Sequence, residues 1–189
     1  PHPHFGQMDK KDLEAIIVYL RSLKSIENIV PEAKADFPMN FIINTIPKEA
    51  HFSSKPSESD AVAYGAYLFN AASCSECHSK QEKGKPIAGM ELAGGFEFPM
   101  MTGGIARSSN ITQDEVTGIG KWSEADFVKR FKSYTDSTYV SAKVIKGNFN
   151  TVMPWTMYGG MKEQDLKAIY AYLKTIKPIR NSVEKFSNP

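Results

Sequence analysis

Apolar residues recur at helical spacing in four stretches of the chain. Leu13, Ile16, Ile17, Leu20 and Leu23 fall on one face of residues 9–23, where Asp9 can cap the N-terminus. Val62, Gly65, Ala66 and Phe69 share a face over residues 59–72, and Gly65 allows another helix to cross closely. Ser123-Glu124-Ala125-Asp126 is an N-terminal box for a helix over 123–134 with Phe127, Val128 and Phe131 inside. The last stripe, Leu166, Ile169, Tyr170, Leu173 and Ile176, predicts a helix over 162–177 that Pro178 ends. Lys162 is a poor cap there. Between these stretches no period is sustained. Residues 27–58, punctuated by Pro31, Pro38 and Pro47, read as an extended linker, with His51 a solvated linker residue. Residues 79–121 hold eight of the thirteen glycines and read as a long irregular wrap, with Met90, Met100 and Met101 as flexible packing. The pattern predicts an all-α fold with long loops, an N-terminal helix and an extended linker.

The first and last stripes are related. Residues 1–26 align without a gap onto residues 154–179, with eleven identities running from Pro1 with Pro154 to Ile26 with Ile179. Shared helix composition does not give that register, so a repeated unit is expected. This reading divides the chain into residues 1–26, the C-terminal remnant of an upstream domain, a linker at 27–58, and a domain at 59–189.

Composition narrows the function classes. A net charge of +2 leaves no excess of basic residues for a nucleic-acid binder. No apolar run approaches the length of a membrane span, and the opening residues lack the basic and apolar regions of a signal peptide. No paired-carboxylate or nucleophile motif stands out, which argues against an enzyme of group transfer or hydrolysis.

The chemistry concentrates in Cys74-Ser75-Glu76-Cys77-His78, which holds both cysteines of the chain. C-x-x-C-H is the pattern of covalent haem attachment: two thiols form thioethers to the porphyrin, and the adjacent imidazole sits under the iron. A redox pair does not need His78, and a zinc cluster would want a second Cys or His pair. One haem c is therefore expected, held by Cys74, Cys77 and His78. A low-spin carrier needs a sixth ligand stable in both redox states, and a thioether serves. Met153 is chosen over Met157 and Met161, because Pro154 stiffens the chain after it. Arg107, Asn110 and Trp122 are candidates for the haem propionates.

Residues 58–180 resemble the haem domains of multihaem cytochromes c that serve as electron-transfer subunits of bacterial membrane-bound alcohol, aldehyde and gluconate dehydrogenases. Three pieces carry the resemblance: Val62–Leu68 leading into the haem motif, Ser109–Thr112 with Thr117–Phe127, and Met153-Pro154-Trp155 with Asp165–Leu173. It implies the class I cytochrome c fold, in which first and last helices cross, with Gly65 and Tyr172 at the crossing. It also implies that the methionine of the Met-Pro pair, Met153, is the axial ligand, with Trp155 beside the cofactor. The expected protein is a periplasmic electron carrier, since c-type haem is attached outside the cytoplasm. Its expected partners are redox proteins, such as a dehydrogenase and a terminal oxidase or another cytochrome, in a homo-oligomer or a larger multihaem assembly. The rival is a haem enzyme or gas sensor with an open sixth position, which Met153-Pro154 counts against.

Overall fold

The computed structural model describes residues 2–188, so Pro1, the first position of the repeat, lies outside the described residues. The chain divides into two compact units, 1–55 and 56–189.

The first unit carries α1 (His2–Phe5), α2 (Lys10–Ser22), α3 (Met39–Ile42) and a 3-10 turn, Ile43–Thr45. The stretch expected to be a plain linker thus contains a short helix. Asp9 caps α2 as its sequence suggests, accepting from the Lys11 N–H at 2.9 Å and, through its other oxygen, from the Lys55 N–H at 3.1 Å. Met8 is buried within this unit, whereas no residue of α2 is.

The second unit is organised by α4 (Ala61–Ala71), α5 (Cys74–His78), α6 (Glu124–Lys132), α7 (Trp155–Gly159) and α8 (Glu163–Leu173). Helices α4 and α8 cross with their backbones nearly touching, because Gly65 has no Cβ to meet the Ala168 carbonyl. Phe69 packs on Tyr172 at the same crossing, with ring centroids 5.2 Å apart. The buried face of α4 is Tyr64, Gly65 and Phe69, rotated from the expected one, so Val62 is exposed. Leu166, Ile169, Tyr170 and Leu173 of α8 close the core with Phe127 and Val128 of α6 and with Leu92 and Ile119 from the loops.

Among the described residues, five short strands complete the unit. β1 (Gln81–Glu82) pairs antiparallel with β2 (Lys85–Pro86); β4 (Ile105–Arg107) lies between β3 (Glu97–Pro99) and β5 (Phe186–Ser187), antiparallel to both. The all-α expectation is corrected by this: the chain is about 34% helical, with two small antiparallel sheets, a mixed α/β architecture. The backbone of the glycine-rich wrap must hydrogen-bond somewhere. It does so across strands of two or three residues, too short to show a period.

In the alignment of 1–26 with 154–179, α1 and α7 begin at equivalent positions, His2 and Trp155, and so do α2 and α8, at Lys10 and Glu163. Asp9 supplies a side-chain cap that its counterpart Lys162 does not.

Helix α6 carries the expected box: the Asp126 N–H donates to the Ser123 hydroxyl, while the Ser123 N–H donates back to the Asp126 carboxylate at 2.9 Å. The Ser123 hydroxyl, followed by its backbone N–H, holds the Asp126 carboxyl below the usual carboxylate range. A folded-state pKa below the unfolded value of 3.8 gives a contribution present in full above that value. It is lost as pH falls through the lower folded-state pKa. Asp126→Asn is therefore expected to remove one acid-sensitive component of unfolding, measured as a flatter stability–pH curve below pH 3.8.

Candidate functional site

Helix α5 is a single turn that starts from a left-handed residue, Ser73 (φ 54°). That bend lets the chain leave α4 and present Cys74, Cys77 and His78 within one turn. Cys74 is half-buried against the core, Cys77 is exposed, and both thiols are free. Burial pushes the Cys74 thiol up to about 12, and raises Cys77 as well. A raised thiol pKa is the opposite of what activates a low-pKa redox cysteine.

His78 Nδ1 lies 2.8 Å from the Ser109 carbonyl oxygen. A carbonyl only accepts, so Nδ1 carries the proton and Nε2 keeps its lone pair. Burial lowers the pKa of His78 against the opposing pull of that bond, which favours the neutral imidazole a metal requires. Gly94 makes the arrangement possible. Its N–H donates to the His78 carbonyl at 2.8 Å, and a Cβ there would sit 2.5 Å from the Ser109 carbonyl carbon. At φ +76° it also takes a conformation that side chains rarely adopt. Two free thiols and an imidazole whose outer nitrogen is fixed form a donor set that fits covalent haem with one proximal nitrogen ligand.

The other sequence-predicted residues fall in three places. Arg107 lies in β4, where Nε donates to Glu97 at 2.8 Å and Nη1 to the Ser187 hydroxyl at 3.1 Å. Asn110 is buried and its amide is saturated: Nδ2 donates to the Thr117 hydroxyl and the Ile179 carbonyl, and Oδ1 accepts from the Thr112 N–H and hydroxyl. Both side chains tie the chain's last segment to the loop. Trp122 packs against the core, and its carbonyl accepts from the Tyr170 hydroxyl at 2.5 Å.

Met153 and Trp155 come together just before and at the start of α7. Trp155 stacks on Tyr134 (5.0 Å, 8°) and meets Phe131 edge-on, while the Arg130 guanidinium lies 4.6 Å from its ring centre. Met153 is half-buried, Met157 is 79% exposed, and Met161 packs on the core. The Tyr158 hydroxyl donates to the Ala72 carbonyl at 2.8 Å, which links α7 to the residues leading into α5.

Sequence reasoning missed α7, the strands and the part played by Ser109. The Gly94-Gly95 pair was the one local signal of a close backbone approach there, and it does not name Ser109.

Residues 62–177, more than half of the chain, match the family model for cytochrome c. The gluconate 2-dehydrogenase cytochrome c subunit of Pantoea cypripedii is 35% identical over 116 residues, covering 59% of this chain and 22% of that protein. The fructose dehydrogenase cytochrome subunit of Gluconobacter japonicus is 30% identical over 134 residues, 70% of this chain and 24% of that protein. The cytochrome c subunit of alcohol dehydrogenase (quinone) from Gluconobacter oxydans (strain 621H) aligns at 25% identity over 95% of this chain and 39% of its own length. The chain thus spans between 22% and 39% of these relatives.

Proposed function

Because the chain belongs to the cytochrome c family, which implies covalently bound haem c, we propose that residues 56–189 form a one-electron carrier with one haem, tethered at Cys74 and Cys77 and ligated by His78 and Met153. The observation that carries this reading is the bond from His78 Nδ1 to the Ser109 carbonyl, which leaves Nε2 for a metal. The haem supplies an iron that changes by one electron between the ferric and ferrous states.

The chain's own residues do the rest. Cys74 and Cys77 prevent loss of the cofactor. The Ser109 carbonyl orients His78 and raises its basicity. The Met153 thioether favours the reduced state relative to a second histidine and so raises the potential. Cys74 packs against the apolar core that includes Leu92, Ile119 and Phe127. No proton is moved and no bond in a substrate is broken.

The relatives are cytochrome subunits of gluconate, fructose and alcohol dehydrogenases, which supports a dehydrogenase as electron donor. The acceptor in this reading is a terminal oxidase or another cytochrome, and the location is periplasmic, because c-type haem is attached outside the cytoplasm. The matching helix starts of α1–α2 and α7–α8 support residues 1–26 as the C-terminal part of a second such domain. Among the described residues no helix is long and apolar enough to cross a membrane.

The test is the visible spectrum of the reduced protein with and without carbon monoxide. An unchanged low-spin spectrum is expected. A clear shift on adding the gas would show an open or labile sixth position and overturn the carrier reading.

A further inference from the structure

Methionine is a weak ligand for ferric iron, so a carrier must hold the sulfur in place by the fold around it. The two residues after Met153 in the chain are Pro154 and Trp155, and the residue two before it is Thr151. The structure binds these into one small unit. The Thr151 hydroxyl oxygen accepts two N–H bonds at once, from the Met153 backbone at 3.2 Å and from the Trp155 indole Nε1 at 3.2 Å. The Trp155 backbone N–H donates to the Met153 carbonyl at 2.8 Å. Met153 therefore has both its N–H and its carbonyl engaged locally, within a loop of five residues.

That loop is anchored to α6 through the indole. Tyr134 covers one ring contact in parallel stacking, Phe131 meets the ring edge-on, and the Arg130 cation lies within 4.6 Å of its centre. Behind it, Gly159 packs on the end of α6, where a Cβ would sit 2.8 Å from the Phe131 carbonyl oxygen. The Lys132 ammonium donates to the carbonyls of Gly159 and Met161. A rigid helix thus reaches the backbone of Met153 through an aromatic ring and one hydroxyl.

We propose that Thr151 and Trp155 are positioning residues for the sixth ligand: the indole, fixed on α6, holds the Thr151 hydroxyl, and that hydroxyl holds the Met153 backbone so that the sulfur stays on the iron. This rests on the reading of Met153 as the ligand. It gives Trp155 a role different from contact with the porphyrin. It also explains why a hydroxyl-bearing residue is useful at an otherwise exposed position.

The test measures imidazole binding to the ferric holoprotein, an exogenous ligand that competes with the sulfur for the sixth position. Thr151→Val keeps the shape of the side chain and removes the acceptor; Trp155→Phe keeps a stacking ring and removes the donor. Each is expected to raise the apparent imidazole affinity by about tenfold, the scale of one or two net hydrogen bonds. Thr151→Ser keeps the hydroxyl and is expected to behave as the parent protein, which a packing role for the threonine methyl would not give. Met153→Ala is the reference with the position fully open. If Met153→Ala opens the site while Thr151→Val and Trp155→Phe bind imidazole as the parent does, the positioning role is overturned and the ligand stands. If Met153→Ala leaves imidazole binding unchanged, the ligand assignment itself fails, and the positioning role with it. Should Thr151→Val not mature into holoprotein, Trp155→Phe carries the same decision.

Discussion

Replacing Gly65 by alanine is expected to lower the melting temperature of the holoprotein by about 10 °C or more. Helix propensity alone gives the opposite sign, since alanine is favoured over glycine by about 1 kcal/mol inside a helix. The crossing decides. A Cβ at this position would lie inside the contact distance of the Ala168 carbonyl oxygen and 2.5 Å from its carbon. Both are backbone atoms of α8, so no side-chain rotation relieves the clash. The two helices would have to part, opening the packing of Phe69, Leu166, Ile169 and Leu173. Overpacking in a core costs about 1–3 kcal/mol, occasionally more, and a clash against rigid backbone belongs at the upper end. Differential scanning calorimetry of the two holoproteins reads the result. A variant that melts at or above the parent temperature would mean that the helices cross elsewhere.

Loss of both thiols, Cys74→Ser with Cys77→Ser, is expected to have the largest effect of all: colour that survives denaturation disappears. Acid acetone should leave the parent protein coloured and strip the variant completely, and the parent should carry one iron per chain. The reason is the difference between a tether and an equilibrium. With thioethers, a haem that leaves its ligands remains at an effective concentration of about millimolar or higher and rebinds. With only His78 and Met153 it diffuses away whenever the fold opens. A ligand that binds only the native state stabilises it in proportion to the logarithm of its free concentration over its dissociation constant. A non-covalent haem at low concentration gives little of that stabilisation. Retained colour in the double variant would place covalent attachment elsewhere in the chain. More than one iron per chain in the parent would overturn the single-haem reading.

The parts of the fold that were legible in the sequence are those whose cause is local. The stripe on α8 and the box at Ser123 and Asp126 each rest on residues within a few positions of one another, and each stands where expected. Gly65 was legible as a point of close approach, though not its distant partner, Ala168. The strands are different. Ile105 pairs with Ser187 and Ala106 with Phe186, partners far apart in sequence, and strands of two or three residues leave no alternation to read. Pro99 inside β3 and the glycines at 103 and 104 speak for a turn in any sequence-based reading, and the hairpin is built around that turn.

The site divides in the same way. Cys74, Cys77 and His78 are neighbours, so the C-x-x-C-H pattern is readable from the sequence alone. Ser109 acts through its backbone carbonyl, which any residue possesses, so its side chain gives no signal. Asn110 illustrates the reverse. A polar residue in a loop expected to wrap a cofactor invites a role toward it, yet all four of its hydrogen-bonding positions are taken up by Thr112, Thr117 and Ile179. Only the position of the chain's last segment, invisible from the loop itself, reveals that.

The pairing of β4 with β5 also orders events in time. A chain is synthesised from its N-terminus, and Ser187 follows Arg107 by 80 residues. Strand β4 therefore leaves the ribosome long before the strand that covers its edge, and Asn110 precedes the Ile179 carbonyl by 69 residues. The attachment sequence at 74–78 is complete well before either. Until residues 179–187 are present, the second edge of β4 stays unpaired and the Asn110 amide lacks one of its acceptors.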